Sequence, residues 1–321
     1  MNILLAAEES AGLQMLKALT NSSHRIVAVL ASPTGAGTGA ANVWDLAQKL
    51  GHETWPAKRV KDPALAEEMR ARGVDILLNV HSLFIINGEV LSAPRIGSFN
   101  IHPGPLPRYA GLNAPSWAIY RGEARHGVTV HKMLPGIDTG PVVYQEMVAV
   151  DANETGLSLS IKCVKAGLPL ILRLLETAAA DPEAIPLLTQ DLTKREYFAR
   201  GVVPNEGWVD WTRPAREVDG FIRACDYHPF PSPWKHPRAV LGGQEVGVLK
   251  AALTGEPCGE PPGTVGGSAD SGVRVACADE WLLAKKLVVA GRTLNASEVL
   301  KPGDQLCDAR RDRECGVALP G

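Results

Sequence analysis

No two cysteines in the chain are spaced to frame a metal or a disulfide network. The six (Cys163, Cys225, Cys258, Cys277, Cys307, Cys315) are scattered, and no C-x-x-C pair occurs. That excludes a zinc or disulfide scaffold and leads us to expect free thiols in a reducing compartment, with no metal. A basic surplus is also missing: 33 Lys and Arg stand against 35 Asp and Glu, for a net charge of −2. Dedicated nucleic-acid binders carry a basic surplus or stripe, so a large nucleic-acid partner is not expected. No apolar run approaches the roughly 18 residues that span a bilayer, which leaves no membrane partner to expect. Met1 leads directly into "NILLAAEES", without a basic n-region or a cleavage-like site; the expected compartment is the cytoplasm.

What is present is an alternation of short apolar runs and helix-like segments. "NILLAA", "RIVAVLAS", "DILLNVH" and "GSFNIH" read as strands. "GLQMLKALTN", "AANVWDLAQKLG" and "DPALAEEMRARG" read as helices, the last with Asp62 as N-cap, Pro63 in its first turn and Gly73 as its stop. This pattern predicts a parallel sheet covered on both faces, with ligands beyond the carboxyl ends of its strands. A long helix over 156–180 is expected to close that part. From about 240 onward the pattern changes to short strand-like pieces separated by turns such as "GEPCGEPPG", which predicts a small β-barrel or sandwich.

Several motifs compete for a chemical role. "GAGTGA", Gly35 to Ala40, formally satisfies a dinucleotide-binding pattern. It follows the second strand rather than the first and lacks a convincing partner carboxylate, so a surface loop is the expectation. His24, His52, His126, His228 and His236 lie in polar or turn contexts and are expected to be solvated or capping; His131, inside a strand, is expected to be structural. His81, ending "DILLNVH", is better placed for a ligand.

The strongest set is Asn100, His102 and Asp138. Asn100 and His102 are two residues apart on a strand and share a face. Asp138 sits in "LPGIDTGP", a Gly/Pro-framed turn that holds a carboxylate at a loop tip. An amide donor, an imidazole and a carboxylate suit acyl-type transfer: oxyanion donor, acid/base and orienting group. No Ser or Cys stands where a nucleophile would be needed, which points to direct attack by the substrate. From spacing alone a shared site and three separate structural roles remain equally open.

The stretch "FNIHPGPLPRYAGLNAPSWAIYRGEARHGVTVHKMLPGIDTGPVVYQE" resembles the signature region of the 10-formyltetrahydrofolate-dependent formyltransferases, which include methionyl-tRNA formyltransferase and the amino-sugar N-formyltransferases. Asn-x-His, L-P-R-Y-x-G, G-V-T-x-H and D-T-G occur in order. Similarity extends over the N-terminal part from Met1 and, less completely, to "WVDWTRPAREVDGFIRACDYHPFPSPW" and "KKLVVAGRTLNASEVL". The resemblance implies an α/β fold: a Rossmann-like, mostly parallel catalytic domain over 1–185, a linker and helical connection over 186–237, and a small β-rich, OB-like domain over 238–310. It implies Asn100, His102 and Asp138 as catalytic residues. Ser82, Leu83, Phe84, Ile85 and Ile86, with Gly136, Ile137 and Asp138, would form the folate slot. Leu106, Pro107, Arg108 and Tyr109 would form a stiff wall near the substrate, and 10-formyltetrahydrofolate would be the formyl donor.

Three departures narrow the acceptor. Methionyl-tRNA formyltransferases carry a basic insertion after the second strand, whereas "SPTGAGTG" here has no Lys or Arg. Their H-G-S-L-L-P-R loop is replaced by "HPGPLPR". The phosphate loop of glycinamide ribonucleotide transformylase is replaced by "AAEESAG", whose Glu8 and Glu9 would repel a phosphate and suit a cationic amine. The expected partner is a small-molecule amine (amino sugar, sugar nucleotide or amino-acid-derived metabolite). Transfer RNA is the alternative, and a non-catalytic folate-binding protein is the rival of another class. For the C-terminal module the sequence leaves a second ligand site, a homodimer interface and a brace equally open.

Overall fold

The structure is a computed structural model that describes residues 1–33, 42–82, 84–269 and 271–310. Leu83, Cys315 and the Gly35–Ala40 motif lie outside the described residues. The chain forms two compact units. The first comprises 1–112, 125–148 and 161–198; the second comprises 113–124, 149–160 and the residues from 199 onward.

The first unit is built on β1 (Asn2–Ala7), α1 (Glu9–Thr20), β2 (Arg25–Ala31), α2 (Val43–Lys49), β3 (Thr54–Pro56), α3 (Ala64–Ala71), β4 (Ile76–Val80), α4 (Gly88–Ser92) and β5 (Gly97–His102). The sheet order is β3-β2-β1-β4-β5-β7-β8, with β7 at Arg125–Lys132 and β8 at Val142–Ala149. β1, β2, β3, β4 and β5 pair in parallel, and β7 runs antiparallel to β5. The central strands β1, β2 and β4 are nearly continuous Val, Ile, Leu and Ala, as buried parallel strands are. One core cluster packs Leu4, Ala28, Leu30, Leu77, Leu65 and Met69 together. α3 starts one residue later than the sequence suggests, with Pro63 rather than Asp62 as its N-cap. Asp62 nonetheless keeps a capping role, its carboxylate accepting the Ala64 N–H at 3.0 Å.

Within the same unit, a short bridge of β6 (Ala110–Gly111) with β9 (Tyr197–Phe198) anchors the residues after β5. α5 (Ala114–Tyr120) belongs to the second unit, and α6 (Gly156–Ala180) has its first five residues in the second unit and the rest in the first. The second unit carries α7 (Ala215–Ala224), β10 (Arg238–Leu241), β11 (Gln244–Pro257), β12 (Val265–Ala269), β13 (Gly272–Ala276), β14 (Glu280–Val289), β15 (Arg292–Asn295), α8 (Ala296–Val299) and β16 (Leu306–Cys307). Its sheet is antiparallel in every registered pair, ordered β12-β13-β14-β11-β10-β16 with β15 on β14. It packs on α7 through Val218 and Ile222 against Val246, Val248, Leu282 and Leu287. The cysteines described are free thiols.

Candidate active site

At the carboxyl end of the parallel strands a polar row interrupts the apolar sheet. Asn79 of β4 is in register with Asn100 of β5, which is in register with His131 of β7. Residues in register share a face, and the bonding follows the row. Asn79 Nδ2 donates to Asn100 Oδ1 at 2.9 Å, and Asn100 Nδ2 lies 3.1 Å from His131 Nε2. Two residues on, His102 is 4% exposed and its Nε2 lies 2.7 Å from the Tyr109 carbonyl. A carbonyl only accepts, so that nitrogen carries the proton. His131 Nδ1, 3.2 Å from the Lys132 carbonyl, is the donor of its ring by the same reasoning.

Both histidines therefore turn their second nitrogen toward Asp138. His102 Nδ1 is 3.6 Å from Asp138 Oδ2, and His131 Nε2 is 3.4 Å from Oδ1. These are ion-pair separations rather than tight hydrogen bonds. The Asp138 backbone is left-handed (φ +56°), which aims the carboxylate back over the strand ends. Its Oδ2 accepts the Gly111 N–H at 2.8 Å. Gly111 sits at φ +95°, and a Cβ there would collide with the Phe198 carbonyl, so only glycine keeps this donor in place. The Asp138 turn is fixed from outside as well. Gln190 Nε2 donates to the Asp138 carbonyl at 2.9 Å, and Arg195 Nη2 to the Ile137 carbonyl at 2.9 Å.

Electrostatics divide the cluster. Burial pushes the His102 pKa down, against the opposing pull of Asp138 and the Tyr109 carbonyl. Burial works the other way on Asp138, but His102, His131 and the Gly111 N–H outweigh it and hold the carboxyl well below the usual carboxylate range. The site thus sets an ionised carboxylate between two imidazoles.

The structure brings Asn100, His102 and Asp138 together and adds His131 and Asn79. The sequence suggests only a structural role for His131 and none for Asn79. The signal for Asn79 is an amide inside the otherwise apolar "DILLNV". Gln190 has no such signal, since its segment carries no motif. His126, expected to be solvated, is instead fully buried, with Nε2 2.9 Å from the Pro103 carbonyl and the Tyr109 ring packed edge-on at 5.2 Å. β7 carries it into the core, where alternation outweighs the polar neighbours that coloured the sequence reading.

The remaining sequence candidates divide by exposure. Leu106 and Tyr109 are 5% and 1% exposed, so what they offer a bound molecule is backbone. Pro107 contributes its carbonyl to the Glu196 N–H, and the Arg108 guanidinium lies 3.6 Å from Glu196. Ser82 Oγ is buried and finds no hydrogen-bond partner among the described residues, while Phe84 and Ile86 pack on the core beside Met133. Ile85 at 75% and Ile137 at 38% leave apolar surface on both loops, and Gly136 adopts φ +109° beside the latter. Glu8 is 7% exposed, its Oε1 accepting both the Ser32 N–H and the Ser32 hydroxyl at 2.7 Å. Glu9, not Glu8, is the exposed member of the acidic pair.

Residues 1–175 match the formyl transferase family model and residues 202–302 that of the formyl transferase C-terminal domain. The methionyl-tRNA formyltransferase of Pseudomonas syringae pv. syringae is 31% identical over 305 residues, covering 93% of this chain and 94% of the relative. Among solved structures, an N-formyltransferase from Helicobacter canadensis, in complex with folinic acid and dTDP-3-aminofucose, aligns with a TM-score of 0.66 at 17% identity. It covers 88% of this chain and 98% of its own. HypX from Aquifex aeolicus, in complex with tetrahydrofolic acid, aligns at a TM-score of 0.62 and 20% identity over 93% of this chain and 46% of that one. With both family models matched in order, and a relative of that identity over nearly its whole length, the chain belongs to the formyl transferase family.

Proposed function

We propose that the protein is an N-formyltransferase that moves the formyl group of 10-formyltetrahydrofolate to a primary amine of a small molecule: an amino sugar, a sugar nucleotide or an amino-acid-derived metabolite. The observation that carries this reading is the convergence of Asn100, His102 and Asp138, one carboxylate between two imidazoles, at the end of the parallel strands. Such a cluster can receive and pass on the proton that an amine attacking a formyl carbon must release. In this reading Asn100 Nδ2 supports the developing oxyanion. His102 enters neutral, takes the proton at Nδ1 with Asp138 beside it, and passes it to the departing N10 of the folate. The slot residues Ser82 to Ile86 and Gly136 to Asp138 hold the pterin, with Ser82 Oγ as an unspent polar group and Ile85 and Ile137 as apolar walls. Residues 1–185 are the catalytic domain, 186–237 the connection and 238–310 the accessory β domain.

Methionyl-tRNA is the second reading, favoured by the 31% identical relatives and disfavoured by the net charge of −2 and the Lys- and Arg-free segment at 32–39. Incubating the protein with 10-formyltetrahydrofolate and a panel of amines, initiator methionyl-tRNA included, and following folate release and product mass, decides between them. Transfer to tRNA alone would displace the small-molecule reading.

A further inference from the structure

Beside the His102 cluster lies a pair of ionisable groups with no role in the scheme above. Glu9 opens α1 directly after β1, and His81 follows β4. Those strands are neighbours where the sheet order reverses, with β3-β2-β1 to one side and β4-β5-β7-β8 to the other. Open α/β sheets take their ligands at that point. Glu9 Oε2 lies 3.3 Å from His81 Nδ1, and the two side chains are 63% and 20% exposed, whereas those of His102 and His131 are 5% and 3% exposed. Both residues hold left-handed backbone, φ +58° and +59°, a conformation that costs of order 1–3 kcal/mol and gathers at functional sites. His81 comes one residue after Val80, the register partner of Ile101, so it leaves the sheet beside His102. It is near enough to oppose the protonation of His102. The titratable groups His81 meets are therefore Glu9 from α1 and His102 from β5.

The hydrogen bond from His81 holds the Glu9 carboxyl below its usual range, so Glu9 is an anion and His81 Nδ1 the donor. Nε2 is the ring's other nitrogen, in the arrangement by which a carboxylate orients an imidazole.

We propose that His81, oriented by Glu9, binds the acceptor's primary ammonium group and takes the proton that must leave before the nitrogen attacks. This rests on the N-formyltransferase reading and adds the class of acceptor: a basic amine, cationic in solution, with no anionic group next to the nitrogen, because Glu9 would repel one. In the step, an N–H bond of the ammonium breaks and its proton passes to His81 Nε2. The freed lone pair then forms the new C–N bond to the formyl carbon as the C–N10 bond breaks. A second proton leaves the nitrogen and ends on N10 by way of His102. The products are a formamide, tetrahydrofolate and a protonated His81, which returns its proton to solvent.

The test uses the full chain and two acceptors: the best alkylamine of the panel, and the same molecule with an aminooxy group, which is already neutral at pH 7. His81→Asn is the main variant, since asparagine tolerates φ near +59°, and Glu9→Gln is the second. We expect His81→Asn to lower kcat/KM for the alkylamine by about 10²-fold and for the aminooxy acceptor by less than about threefold, with 10-formyltetrahydrofolate affinity unchanged. Glu9→Gln should show the same selectivity with a loss of about tenfold. Equal losses for both acceptors, or none for the alkylamine, would overturn the inference and leave formyl transfer standing. Absence of formamide from the wild-type protein with every amine would overturn both.

Discussion

The two units differ in where they place strained backbone. Among the described residues of the first unit, the non-glycine residues with left-handed φ are Glu9, His81, Tyr109 and Asp138, and each adjoins the strand ends around His102. In the second unit they are spread out: Asn113 as the N-cap of α5, Asn205 and Glu206 in a tight loop, Lys235, and Ala290 in the two-residue connection between β14 and β15. Charge follows the same division. Buried Asp219 and Asp308 are each matched by an arginine at 2.6 Å, whereas Asp138 faces histidines across looser gaps. A buried carboxylate held by imidazoles rather than by an arginine, beside strained backbone, is the signature of a site kept ready for an external molecule.

The sharpest way to break this contrast is at the cluster. Asn100→Ala, His102→Asn and Asp138→Ala should each lower kcat by roughly 10²–10⁴ while circular dichroism and thermal unfolding stay cooperative. Near wild-type turnover in any of them would erase the distinction. Next in size is His131→Asn, which removes one of the two imidazoles on Asp138. Loss of a charged hydrogen-bond partner is worth about 1.5–3 kcal/mol, so kcat should fall about 10- to 100-fold with the folate KM unmoved. Phe84→Ala should raise the folate KM about tenfold at constant kcat, because part of an apolar wall worth about 1.5–3 kcal/mol is removed. A change in kcat instead would place Phe84 with the chemistry.

A smaller effect is expected in pH-dependent stability. The unfolded chain protonates His102 near pH 6.5, while burial keeps the folded ring neutral to lower pH. The unfolded state thus binds the extra proton, and stability should fall as pH drops below about 6.5, with His102→Asn flattening that slope in thermal unfolding. Glu245→Gln, which breaks the 3.3 Å pair with Arg238 in the second unit, should leave kcat unchanged and stability within about 0.5 kcal/mol.

Much of the site was legible because it is written in local chemistry. Asn100 and His102 share a strand face by simple alternation, and "PGIDTG" announces a rigid turn by its glycines and proline. The parallel sheet and the antiparallel second unit follow from the spacing of apolar runs. What escaped depends on residues far apart in sequence. The contact of His131 with Asn100 needs the β5–β7 register, and the hold of Gln190 on Asp138 spans 52 positions. Glu8 and Glu9 look alike in the sequence. Only the fold turns one into Ser32 and the other outward to His81.

The most direct test of the account is formyl transfer itself: product mass and tetrahydrofolate release from 10-formyltetrahydrofolate and a primary amine, wild type against Asp138→Asn. The account predicts a formamide from the wild type and a rate lower by at least about 10²-fold when the carboxylate is gone. Equal rates in the two proteins, or no formamide from either, would contradict it.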